Sequence, residues 1–259
     1  MVLAETRDLV KTFTVRKGGR KGKLNAVGGV SLQIEKGACT ALVGESGCGK
    51  STLGKILIGF ERPTAGSVFY EGREFRGLPS EKMRRRIQLV SQDSYDAVNP
   101  RFNAEQIVQE PLIHFFGMEK AECSARVDEL LRQVGIDPQE KTKYPRQFSG
   151  GQLQRICIAR ALAAEPELIV LDEPLSSLDV SVQAQILNLL ADLKEQNGLS
   201  YLLISHDLEA VYYLADVIYI MYQGKIVEIV EDLGRIREVQ HPYSRKLLFG
   251  EDTKSAILI

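Results

Sequence analysis

Nine residues at positions 44–52, GESGCGKST, combine three glycines, a lysine and three hydroxyls at the spacing G-x-x-x-x-G-K-[ST]. Gly44, Gly47 and Gly49 let a backbone bend tightly enough to point successive N–H groups at phosphate oxygens, and a helix expected to open near Lys50 adds its positive dipole end. Lys50 has the reach for the outer phosphates, and the Ser51 hydroxyl suits Mg2+. The expected ligand is therefore a nucleoside triphosphate with its metal rather than a dinucleotide. Glu45, Ser46, Cys48 and Thr52 complete the run and are taken with it as ligand-contacting.

Two carboxylates supply the complementary chemistry. The apolar residues 168–171 deliver Asp172 and Glu173 to a strand end, where open α/β sheets place their ligands. Asp172 is expected to hold Mg2+, directly or through water, and Glu173 to take a proton from an attacking water. A second anion-binding helix start is suggested by Ser149, Gly150, Gly151 and Gln152, although S-G-G before a helix also reads as an ordinary N-cap and turn. Cys48 lies beside loop N–H groups and Lys50, where a thiolate is favoured and alkylation follows; it reads equally as an incidental small residue.

The surrounding sequence has to position these groups. Residues 3–15 alternate as a strand, and Gly18, Gly19 and Gly22 within RKGGRKGK break it before a second strand at 30–34, giving a long hairpin with a basic tip. That tip reads as a solvated turn, or as a contact to phosphate or lipid headgroups. Residues 40–43 form a short apolar strand into the glycine loop, the following helix ends near Gly59, and 66–70 and 87–90 are further strands. Helical spacing covers 104–116 and 123–134, broken at Gly117 and again at Gly135 to Pro138. A strand at 168–171, a helix at 182–193 and a strand at 201–204 restore α/β alternation, and 218–221 with 225–229 form a closing hairpin. The fold class is α/β, a P-loop NTPase core with a helical insertion. Its parts are 1–91, the N-terminal part of the core with a β subdomain; 92–165, helical; 166–230, the C-terminal part of the core; and 231–259, a short tail.

Composition sets the outer bounds. The 259 residues are 44% hydrophobic, enough for a sizeable core, and 33 Lys+Arg against 34 Asp+Glu give a charge of −1, with no basic excess pointing to nucleic acid. Cys39, Cys48, Cys123 and Cys157 are scattered, which argues against zinc, a disulfide framework or an iron–sulfur cluster and suits a reducing cytosol. No apolar run approaches membrane-spanning length, so the chain is expected to be soluble or peripheral to a membrane.

In the order glycine loop, Gln92, SGGQ, DE and His206, the chain resembles the ATP-binding subunits of ABC transporters along nearly its whole length. The resemblance implies ATP with Mg2+ as ligands, an ABC-type nucleotide-binding domain with an antiparallel β subdomain, and roles for individual residues. Gln92 matches the glutamine that touches Mg2+ and the attacking water, and His206 the histidine that contacts the γ phosphate. Ser149 to Gln152 match the signature that completes the opposite subunit's site. SSLD, ending at Asp179, matches a loop crossing the dimer interface, though Asp179 also reads as a helix N-cap. Phe13 matches an aromatic that stacks on adenine and also reads as a core residue of its strand. Phe148 stands where the signature more often has leucine. His114 and His241 lie outside every one of these motifs.

The stretches QDSYDAVNPRFNAEQIVQEPL and HPYSRKLL resemble, more narrowly, the second ATPase subunit of peptide and nickel importers. That implies a paralogous ATPase as partner in a heterodimer, two integral membrane permeases, an extracellular substrate-binding protein, and a peripheral place on the cytoplasmic face of a bacterial membrane. Contacts to the permeases are expected through residues 95–101. The tail lacks the clustered cysteines with which some peptide-importer ATPases hold an iron–sulfur centre, and none is expected here. The rival readings are an exporter ATPase or a soluble ABC ATPase acting on nucleic acid or ribosomes.

Overall fold

The computed structural model describes residues 1–17, 20–75 and 79–250. In chain order the elements are β1 (Val2–Lys17), β2 (Arg20–Glu35), β3 (Cys39–Val43), α1 (Lys50–Leu57), β4 (Ala65–Tyr70), β5 (Arg73–Phe75), α2 (Glu81–Arg86), β6 (Ile87–Val90), α3 (Ala104–Phe116), α4 (Lys120–Gln133), α5 (Gly150–Ala163), β7 (Leu168–Asp172), α6 (Val180–Asn197), β8 (Ser200–Ser205), α7 (Leu208–Leu214), β9 (Val217–Tyr222), β10 (Lys225–Val230) and α8 (Pro242–Phe249). The chain divides into two compact units, Met1–Leu78 with Tyr201–Ile259, and Pro79–Ser200. No helix among the described residues is long and apolar enough to cross a membrane.

The first unit contains an antiparallel sheet in the order β2-β1-β4-β5 and the strand run β10-β9-β3-β8. Every residue of β3 is buried, as expected of a central parallel strand, and β3 pairs in parallel with both β8 and β9. Asp216 fixes where β3 begins: its carboxylate accepts from the Cys39 N–H at 2.7 Å, while its own N–H donates to the Cys39 carbonyl at 2.8 Å. The long β1–β2 ladder is bulged between Thr6 and Val10. There the buried Thr6 hydroxyl donates to the Val30 carbonyl at 3.1 Å and accepts from the Leu32 N–H at 3.0 Å, restoring bonds that the bulge interrupts. β2 begins at Arg20, so Gly22, expected to break the chain, instead sits in the strand opposite Val15. The expected basic tip at Gly18 and Gly19 lies outside the described residues.

In the second unit β6 and β7 pair in parallel, and α3, α4 and α5 pack on one another. A bidentate pair, Arg86 with both oxygens of Glu167 at 2.7 Å, ties the start of β6 to the start of β7. Helix α3 occupies the expected 104–116 because both ends are signalled locally. Asn103 and Gln106 form a reciprocal capping box, and Gly117 turns left-handed at φ 64°. Helix α5 starts at Gly150, because Ser149 caps it and the two glycines fall inside the first turn.

Gly151 is required there by packing. A Cβ at this position would lie 2.3 Å from Val182 Cγ1 on α6. Gly151→Ala is therefore expected to destabilise the chain by about 1–3 kcal/mol through overpacking. Adding Val182→Ala should recover most of the loss in a thermal melt; no recovery would show that the glycine is not a packing requirement.

Candidate nucleotide site

The glycine loop leaves the C-terminal end of β3 and runs directly into α1, whose first residue is Lys50. Its backbone is pressed against two carbonyls of the same unit. A Cβ at Gly44 would lie 2.2 Å from the Met221 oxygen, and one at Gly49 would lie 2.0 Å from the Ala26 oxygen, with φ at 113°. Only glycine fits at either place. Lys50 is 5% exposed, and its ammonium donates to the carbonyls of Gly44 at 2.6 Å and Glu45 at 3.1 Å. Gly49 is the N-cap of α1 and makes no side-chain cap bond. No N-cap side chain therefore competes with an anion at the start of α1. Glu45, Ser46 and Gly47 are exposed, and Ser51 and Thr52 are half-buried on the first turn.

Parallel register brings further candidates to the same strand ends. Val43 pairs with Ser205, so Gly44 and His206 leave neighbouring strands at one level, and His206 is exposed. Phe13 lies on β1, half-buried rather than in the core, with the Lys11 ammonium 4.8 Å from its ring centroid. In the second unit Val90 pairs with Leu171, so the turn carrying Gln92 and the pair Asp172–Glu173 also leave adjacent strands together. Glu173 has φ 51°, a left-handed conformation that costs a non-glycine residue about 1–3 kcal/mol and that clusters at functional sites. Its carbonyl accepts from the Ser176 hydroxyl at 3.2 Å.

The signature residues form a capping box. Ser149 Oγ accepts from the Gln152 N–H at 3.3 Å, and Gln152 Oε1 accepts from the Ser149 N–H at 3.0 Å. Acceptor positions are thus engaged within the motif, and what the serine hydroxyl and glutamine amide still offer is donor hydrogens, beside a helix N-terminus. Gln92, Asp93, Ser94, Tyr95, Gly150 and Ser177 line one cavity of about 430 Å³, so the glutamine turn, the signature and the SSLD loop meet there. Asp179 occupies the N-cap of α6 but makes no side-chain cap bond, which removes the support for reading it as a capping residue.

Residues beyond the motifs hold this arrangement. Three positions one turn apart on α5 grip the segment after Gln92. Gln154 accepts a hydrogen bond from the Ser94 hydroxyl, the Cys157 thiol donates to the Ser94 carbonyl at 3.8 Å, and Arg160 donates to the Ala97 carbonyl at 2.5 Å. Burial pushes the Cys157 thiol up to about 11, which keeps it a donor. The spacing 154, 157, 160 was visible in the sequence, but nothing there indicated which segment it would meet.

The comparisons agree with this geometry. The profile of the ABC transporter family matches residues 27–176. The chain is 48% identical over 254 residues to the putative oligopeptide transport ATP-binding protein YkfD of Bacillus subtilis, covering 93% of this chain and 77% of that protein. It is 42% identical to the dipeptide transport ATP-binding protein DppF of Escherichia coli, covering 95% and 75%. Among solved structures it resembles the ATP-binding cassette MJ0796 in a dimeric post-hydrolysis state bound to ADP and Pi, at TM-score 0.79 and 29% identity over 88% of this chain and 98% of that one. The class of the protein is thus an ABC-type ATP-binding cassette, an ATPase of the P-loop α/β fold. The chain belongs to the ABC transporter family.

Of the two readings of Cys48, the structure favours the incidental small residue over the reactive thiolate. The residue is 9% exposed, and burial pushes its thiol above the ordinary value, outweighing the Lys50 charge that pulls it down. Native protein at pH 7 should therefore react with N-ethylmaleimide at Cys48 more slowly than unfolded chain does. The rate should keep rising with pH beyond the range where a free cysteine has levelled off. Labelling of the Cys48 peptide at free-cysteine speed at pH 7, read by mass spectrometry, would contradict this.

Proposed function

We propose that the chain is the ATP-hydrolysing subunit of a peptide importer, working with two permeases and a substrate-binding protein at the cytoplasmic face of the membrane. The carrying observation is the glycine loop seated between β3 and α1 with Lys50 and Ser51 opening the helix, in a chain so similar to relatives named as peptide transport ATP-binding proteins. Peptides rather than nickel chelates are the substrate class that those names support.

The residue assignments follow the chemistry of each group. The loop from Gly44 to Thr52 binds the phosphates, Lys50 neutralises charge on the outer two, and Phe13 stacks on adenine. Ser51, Gln92 and Asp172 offer only oxygen donors, which fits the hard Mg2+ ion. Bound there, Mg2+ supplies charge neutralisation on phosphate oxygens. Glu173 accepts the proton of the attacking water, and Gln92 and His206 orient water and γ phosphate. Ser149 to Gln152 present their donors to the γ phosphate held by a second ATPase subunit, a paralogue of this chain, and Asp179 lies at the interface between them. ATP binds the closed pair better than the open one, so binding closes it and hydrolysis releases it.

Glu173→Gln keeps the shape and removes the base. In the assembled transporter it is expected to retain ATP binding while turnover falls by about 10²-fold or more. Wild-type-like phosphate release by that variant would overturn the assignment of the base. Co-purification with two multi-span membrane proteins and a second ATPase, and stimulation of ATPase by peptide-loaded binding protein, test the importer reading. Isolation without membrane partners would count against it.

A further inference from the structure

The run HPYSRKLL at the start of α8 divides its work among three residues. His241 is the N-cap, its Nδ1 accepting from the Tyr243 N–H at 3.1 Å, and Pro242 takes the first helical position, where the missing N–H is harmless. Glu228 on β10 sets the approach by accepting from the N–H groups of Gln240 at 2.6 Å and His241 at 3.1 Å. Tyr243 is thereby delivered against the glycine loop. Its ring stacks on Tyr222 with centroids 4.2 Å apart, and its hydroxyl oxygen accepts a 2.7 Å hydrogen bond from the N–H of Glu45, 198 residues earlier in the chain.

A second strap runs parallel to the first. The turn after Tyr222 places the Gly224 N–H 3.0 Å from the Cys48 carbonyl, and the Gly224 carbonyl accepts from the Gly28 N–H at 2.7 Å. The loop is thus tied at Glu45 by α8 and at Cys48 by the β9–β10 turn, with Tyr222 and Tyr243 stacked between the two ties. Burial pushes the Tyr243 phenol above its ordinary value, so the hydroxyl stays neutral.

We propose that Tyr243 is a positioning residue for ATP: its hydroxyl, through the Glu45 N–H, holds the phosphate loop in its nucleotide-accepting shape, so that α8 sets the loop's affinity. The proposal rests on the reading of residues 44–52 as the ATP site.

Tyr243→Phe in the full chain removes the hydroxyl and keeps the ring and its stacking. Loss of one positioning hydrogen bond corresponds to a rise of about three- to tenfold in the Kd for MgATP, measured by isothermal titration calorimetry. In the assembled ATPase KM should rise by a similar factor while kcat changes less. A merely structural role would instead lower the melting temperature of the nucleotide-free protein and the fraction of competent sites, with Kd and KM unchanged in what remains. Wild-type Kd and KM in Tyr243→Phe would overturn the proposal and leave the ATP site standing. Failure of the wild-type chain itself to bind MgATP would overturn both.

Discussion

Two backbone carbonyls, of Met221 and Ala26, stand where side chains at Gly44 and Gly49 would otherwise go, and the shape of the phosphate loop follows from that close approach. The loop has a floor, and its path over that floor is fixed by strands on both sides. β3 is buried between β8 and β9, so the point where the chain leaves the sheet is set by parallel register and cannot slide without exposing five buried residues. Lys50 then folds beneath the loop onto the Gly44 and Glu45 carbonyls, which places a cation under the phosphate path at little further cost in side-chain entropy. His206 reaches the same level because it follows the strand next door.

The second unit has a comparable organiser in α5. Its N-terminus carries the signature, its first turn fits α6 only because Gly151 lacks a side chain, and its face at Gln154, Cys157 and Arg160 grips residues 94–97. The segment after Gln92 is thus hydrogen-bonded to the same helix whose first turn carries the signature. Gln154 is 1% exposed, with its amide nitrogen otherwise unpartnered, so the Ser94 hydroxyl is the contact that anchors this buried side chain.

What the sequence disclosed depended on how local the determining interaction is. Helix α3 could be bounded to the residue because Asn103, Gln106 and Gly117 all act within one turn of its ends. The start of α5 is less legible because two glycines after a serine also read as a turn, whereas Ser149 and Gln152 cap each other and carry the glycines into the helix. Gly22 failed as a breaker because pairing with β1 overrides intrinsic preference. Cys48 admits two readings from sequence for a similar reason, since the Lys50 charge is adjacent in sequence but the burial that outweighs it comes from the fold. The tie from Tyr243 to Glu45 spans 198 residues; the sequence showed HPYSRKLL as a pattern but held no sign of where its tyrosine would land.

The phosphate loop and the signature, the two elements proposed to bind anions, share a rule of construction. In the phosphate loop the carbonyls of Gly44 and Glu45 accept from Lys50, and that of Cys48 accepts from Gly224. In the signature the serine oxygen and the glutamine carbonyl accept from each other's N–H groups. These particular acceptors are occupied, and N–H donors at a helix N-terminus remain on offer beside them. Such donors suit a phosphate, whose oxygens accept from several at once. The carboxylates at Asp172 and Glu173 are of the opposite kind. They are acceptors at a strand end, Glu173 in a left-handed backbone, and in the proposed reaction they serve species that N–H donors do not, a metal ion and the protons of a water.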